Sequence, residues 1–118
     1  MKQPRTLCSM TSLCWLLITI FGFCCLAGAQ GPSGAATFKE KCVLCHGADG
    51  AGNTTLGKQL QAANLRSKEV QKKPDPELHK TVHDGNGNMP PFQDQLTEDE
   101  ITQVIKYVRQ EFGKTAKK

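Results

Sequence analysis

The chain has 118 residues, enough for one small domain, and its 15 Lys and Arg against 11 Asp and Glu give a formal charge of +4. With 38% hydrophobic residues the core is modest, and the basic residues form none of the stripes or patches that a nucleic-acid footprint needs. No nucleic-acid partner is expected.

Residues 1–29 read as a secretory signal peptide. Lys2 and Arg5 make a basic start, Leu13 to Leu26 an apolar core, and Ala27-Gly28-Ala29 an A-x-A cleavage site. Cleavage there leaves residues 30–118 with 13 basic and 11 acidic residues, a charge of +2. It also removes four of the six cysteines, leaving Cys42 and Cys45. The competing reading is an uncleaved anchor over residues 7–26 facing the periplasm, close to the roughly 20 residues that span a bilayer. Ser9, Thr11 and Ser12 polarise its first half and weaken it.

After a short Gly31-Pro32-Ser33-Gly34 linker, Ser33 is placed to cap a helix from Ala35 to about Cys45, where Ala35, Phe38, Cys42 and Cys45 recur at three- and four-residue spacing. That helix runs into Cys42-Val43-Leu44-Cys45-His46. Two cysteines three apart, followed at once by histidine, read as a c-type haem attachment site, with both thiols as thioethers and His46 on the iron. A redox dithiol or half of a zinc site remains open. No further cysteine follows Cys45 to complete a zinc site, and no βαβ alternation surrounds the pair.

The run Gly47-Ala48-Asp49-Gly50-Ala51-Gly52-Asn53 turns repeatedly. Leu56, Leu60 and Leu65 show no clear period and are expected to wrap one edge of the cofactor. Ser67 starts a short helix through Lys72. A better helix has Asp75 as N-cap, Pro76 at its first position, passes Leu78 and Val82, and stops at Gly85. On it His79 and His83 share a face at a spacing that can bind zinc, but the Glu of an H-E-x-x-H motif is missing, so solvated or capping histidines are expected. In Asn86-Gly87-Asn88-Met89-Pro90-Pro91-Phe92 the prolines stiffen the backbone beside Met89, the sole methionine after residue 29. Thr97-Glu98-Asp99-Glu100 is a capping box with Leu96 and Ile101 as a hydrophobic staple. It opens a helix striped by Ile101, Val104, Ile105, Val108 and Phe112, flanked by Tyr107 and closed by Gly113. Residues 113–118 form a basic, solvated tail.

Gly34 and Phe38 precede Cys42 by eight and four residues. Together with the Cys42–His46 motif, the glycine-rich run after it and the Met89-Pro90 segment, they make residues 34–112 resemble a small class I cytochrome c of the short-chain bacterial and algal type. The resemblance implies an all-α cytochrome c fold: N- and C-terminal helices crossing at Gly34, with Phe38 and Tyr107 at the crossing, and short helices and loops around one covalent haem c per chain. It implies Cys42 and Cys45 as haem thioethers, His46 and Met89 as axial iron ligands, and no catalytic residues. The expected role is a monomeric one-electron carrier in the periplasm, free of the membrane after signal cleavage. Its partners would be larger redox proteins, membrane-bound respiratory or photosynthetic complexes. Alternatives are a tethered haem subunit of a membrane oxidase or dehydrogenase, or a peroxidase or gas binder if Met89 leaves the iron.

Overall fold

The computed structural model describes residues 31–114. The signal-peptide and anchor readings of residues 1–29 lie outside them, as does most of the basic tail.

The first helix, α1, is built of three segments: α-helical Gly34–Thr37, a π turn over Phe38–Cys42, and α-helical Val43–His46. The Ser33 hydroxyl caps it by accepting the Ala36 N–H at 3.3 Å. The expected helix therefore extends one residue further at each end, and its middle is wider than the three- and four-residue spacing implied. Gly47, at φ +78°, ends it.

Two short helices follow. The first, α2 (Thr55–Leu60), is capped by the Thr54 hydroxyl and was not expected, because six residues are too few to show a period. The second, α3 (Lys68–Lys72), is capped by Ser67 as anticipated. Helix α4 spans Asp75–Asp84 and corrects one reading: Pro74 is the N-cap, Asp75 the first helical residue and Pro76 the second. Extended Pro74 suits the cap position, and the Asp75 carboxylate is taken by Arg109, at 3.0 Å from Nε and 2.9 Å from a terminal nitrogen. In α5 (Glu98–Phe112) both capping-box bonds form: Glu100 N–H donates to the Thr97 hydroxyl at 3.3 Å, and Thr97 N–H to the Glu100 carboxylate at 2.8 Å. Gly113 follows α5 but stays right-handed at φ −65°, so the left-handed stop is absent. Among the described residues there is no strand, only an isolated bridge between Asn86 and Met89.

The crossing of α1 over α5 fixes the architecture. A Cβ on Gly34 would lie 2.0 Å from the Gln103 carbonyl oxygen and 3.0 Å from Tyr107 Cβ, so only a residue without a side chain permits this approach. Beside it Phe38 packs on Tyr107 and Phe112, with ring centroids 5.3 and 5.4 Å away. Phe38, Val104, Val108 and Phe112 form one buried cluster. Leu96, Ile101 and Ile105 form a second, against Leu78 and Val82 of α4 and Phe92, with Ile101 fully buried. The staple pair Leu96 and Ile101 is thus part of the core; burying one such side chain stabilises the fold by about 1.5–3 kcal/mol. Both clusters lean on the α5 stripe, which leaves the opposite sides of α1 and α4 to face a cleft.

Candidate functional site

Between α1, the α2 region, α4 and the Met89 segment lies an apolar cleft with two adjoining compartments, about 140 and 570 Å³. The larger falls within the usual range for a bound organic cofactor. Cys42, His46 and Met89 line both compartments, and Cys45 lines the larger. All four residues singled out by the sequence are therefore brought to one cleft.

The His46 ring is buried, 9% exposed, and its Nδ1 lies 3.0 Å from the Ala63 carbonyl. A carbonyl can only accept, so Nδ1 carries the proton and Nε2 is left with a lone pair. Burial lowers the pKa of His46 from its ordinary value and so favours the neutral ring, opposed in part by that hydrogen bond. A neutral imidazole anchored through its other nitrogen is the form that ligates a metal. Cys42 and Cys45 are both free thiols, and burial, followed by the neighbouring Cys45, pushes Cys42 up to about 11. At neutral pH Cys42 is thus a protonated thiol, not a reactive thiolate.

The attachment segment is braced from behind by a residue the sequence reading missed. The Thr54 hydroxyl sits 2.7 Å from the Leu44 carbonyl and 3.1 Å from that of Cys45, and accepts the Gly57 N–H at 2.8 Å. One side chain thereby caps α2 and holds the end of α1. Its only sequence signal is a Thr at a helix start; the partners ten and nine residues upstream are not local.

Met89 is half-buried in a tight turn. Asn86 N–H donates to the Met89 carbonyl at 3.1 Å and Met89 N–H returns to Asn86 at 3.0 Å. Behind the turn, a Cβ on Gly85 would meet the Met89 carbonyl at 2.6 Å and Pro91 N at 2.9 Å, so the Met-Pro-Pro segment lies directly on this glycine. Phe92 and Gln93 N–H groups then bond the His83 carbonyl, both at 3.2 Å, tying the segment to the end of α4.

His79 and His83 line neither compartment. Their Nε2 atoms face the two oxygens of Glu98 at 3.2 and 3.3 Å, and His83 Nδ1 lies 2.6 Å from Asp84. They pair with the side chain of the first residue of α5 and take no part in the cleft, and among the described residues no cluster of three His, Cys, Asp or Glu is arranged to hold a metal ion.

The donor set fits a haem: two thiols, a neutral imidazole with Nε2 unengaged, and a thioether, all on apolar walls. A family model described as "Cytochrome C oxidase, cbb3-type, subunit III" matches residues 29–108. The chain belongs to this family of c-type cytochromes. Similar solved structures include KustC0563 c-type cytochrome, 31% identical with a TM-score of 0.62, covering 67% of this chain and 96% of that one. A tyrosine-to-phenylalanine mutant of it is 32% identical, with a TM-score of 0.60 over 66% and 96%. No curated protein matches. The cytochrome is thus a haem-bearing electron carrier and not an enzyme, and its helices have the cytochrome c arrangement. No helix among the described residues is long and apolar enough to cross a membrane.

Proposed function

We propose that this cytochrome carries one haem c, joined covalently through Cys42 and Cys45, with His46 and Met89 as axial ligands, and passes single electrons between larger redox proteins outside the cytoplasm. The observation that carries this reading is the convergence of both thiols, the His46 ring and the Met89 side chain on one apolar cleft. When bound, the haem supplies a one-electron couple at its iron, and a thioether ligand favours a higher potential than a second histidine.

The chain's residues do the rest. Ala63 holds His46 in the tautomer that offers Nε2. Thr54 fixes the carbonyls of the Cys42–His46 turn, so both sulfurs stay in register. The Asn86–Met89 turn and Gly85 hold the methionine backbone, which matters because Met has three rotatable bonds and binds iron weakly. Phe38, Val104, Ile105 and Val108 give the smaller compartment buried apolar walls. With His46 and Met89 both given to the iron, no position would be left for a substrate, which suits a carrier.

Export by residues 1–29, with cleavage after Ala29, would deliver the chain to the periplasm; mass spectrometry should then find an N-terminus at Gln30 or close to it. A second reading, a haem subunit tethered within a membrane oxidase complex, is favoured by the oxidase description of the matching family. An intact leader in the membrane fraction would support it.

Acid-acetone extraction and visible spectroscopy test the site. The chromophore should stay on the polypeptide, and the oxidised protein should show the weak near-infrared band of sulfur-to-iron charge transfer. Haem moving into the organic phase would remove covalent attachment. An oxidised spectrum without the band, indistinguishable from that of Met89→Ala, would remove Met89 from the iron.

A further inference from the structure

Three residues of the Met89 turn, Asn86, Gly87 and Met89, set its shape from within. Gly87 takes φ +59° at the first central position, and the reciprocal Asn86 and Met89 bonds close the turn. The fourth, Asn88, reaches outward. Its side-chain amide donates to the Leu60 carbonyl at 3.1 Å, joining positions 28 residues apart. Among the described residues this is the one hydrogen bond between the 86–90 segment and the opposite cleft wall formed by residues 52–66.

The acceptor explains the choice of partner. Leu60 ends α2, and the last carbonyls of a helix have no partner inside it. Gln61 turns away at φ +56°, left-handed. The Ala62 N–H takes the Gly57 carbonyl at 2.8 Å and Gln61 N–H that of Lys58 at 3.4 Å. Leu60's carbonyl is left over at the mouth of the larger compartment, which Leu60, Asn88 and Met89 all line. The far side of the turn is already fixed by Gly85 and by the bonds to His83, so the Asn88 bond is what closes the near side.

We infer that Asn88 is a positioning residue for Met89: by holding the turn to the end of α2 it limits how far the Met89 sulfur can withdraw from the cleft, and so sets how readily an outside ligand takes its place. The inference rests on the proposed Met89 ligation. A ligand that competes with sulfur binds only the fraction of molecules whose turn has opened, so its apparent affinity reports the opening equilibrium. Losing one net hydrogen bond raises that fraction by about tenfold at most.

The test uses the holoprotein in the oxidised state and neutral imidazole as the competing ligand, measured on the parent, Asn88→Ala, Asn88→Asp and Met89→Ala. Asn88→Asp keeps the side-chain volume but loses the donor, and it serves in place of Asn88→Ala should the latter fold poorly. In both Asn88 variants imidazole should bind up to about tenfold more tightly than in the parent, and the sulfur-to-iron band should weaken at higher temperature before the fold melts. A purely structural role would lower the melting temperature and leave affinity and band unchanged relative to the fold; that result overturns the inference while leaving Met89 ligation standing. Loss of haem binding by both variants would overturn it too, since the bond would then serve folding rather than the ligand. A parent without the band, with imidazole affinity equal to that of Met89→Ala, defeats Met89 ligation and this inference with it.

Discussion

Arg109, half-buried on α5, does more than its charge announces. Its guanidinium donates to the Gln71 carbonyl at 2.8 Å, the Val70 carbonyl at 3.3 Å and the Lys73 carbonyl, and it pairs with Asp75. One side chain thereby satisfies the loose carbonyls at the end of α3 and pins the α3–α4 junction to α5. Arg109→Leu keeps the apolar stem but takes the donor from the Gln71 and Lys73 carbonyls, Val70 keeping the Lys73 N–H, and should lower the unfolding free energy by about 2–3 kcal/mol in a urea titration. Thr37 makes the opposite case. It is 3% exposed at the helix crossing and its hydroxyl has no hydrogen-bond partner. Thr37→Val, which removes an unsatisfied polar atom at nearly constant shape, should raise stability by about 1 kcal/mol, seen as a higher melting temperature. A drop instead would mean that the hydroxyl is satisfied by ordered water.

Among the elements, α5 was the most legible, α2 was missed altogether, and α1 was read as a helix without its π turn. The capping box, the staple and the stripe of α5 are all local, so Thr97, Glu100, Leu96 and Ile101 could be read off directly. The Cys42–His46 motif is local too, and the structure lays it on the cleft as expected. Thr54, Ala63, Asn88 and Arg109 act on partners far along the chain, which no window of sequence contains. The π turn over Phe38–Cys42 escaped for another reason: it inserts an extra residue per turn without changing which residue types appear. Helix α4 lost its expected N-cap because Asp75 has a distant partner in Arg109. For α5 the cap also fixes a pH response. The Thr97 backbone N–H, then the Thr97 hydroxyl, hold the Glu100 carboxylate below its ordinary 4.5. A carboxylate depressed in the folded state stabilises above its unfolded value and loses that contribution as pH falls through the folded one. The parent should therefore lose melting temperature from about pH 4.5 downward, and Glu100→Gln should lose less over the same range. Thr97→Ala should cost about 1 kcal/mol near neutrality. At the other contact of α5, Gly34→Ala drives a Cβ into the Gln103 carbonyl, and separating the two helices should cost at least about 3 kcal/mol. A melting curve of Gly34→Ala matching the parent would show that the crossing yields.

At the scale of the whole molecule, the two apolar clusters on α5 account for only one side of the core; several of their members, Phe38, Val104, Ile105 and Val108 among them, also line the cleft on the other side. A cofactor filling it stabilises the folded state by mass action or, if covalent, permanently. Cys42→Ser combined with Cys45→Ser should yield a chain with much of its helical circular dichroism but with weakened near-ultraviolet signal and binding of hydrophobic dyes, the signs of lost packing. A double variant as sharply folded as the parent, without haem, would show that the two clusters suffice alone.

The contact of Gly34 with Gln103 also sets a timetable. Its two sides stand about seventy residues apart in the chain, so the crossing is a long-range closure that slows folding compared with local helix formation. In synthesis α1 appears first and α5 last; at roughly 5–20 residues per second the stretch from His46 to Phe112 takes on the order of several seconds. For that interval Phe38 has no aromatic neighbour from α5, and Cys42 and Cys45 sit on a strand of chain whose cleft is still missing a wall. Wherever the chain folds, the thiols are most open before the last helix closes on α1.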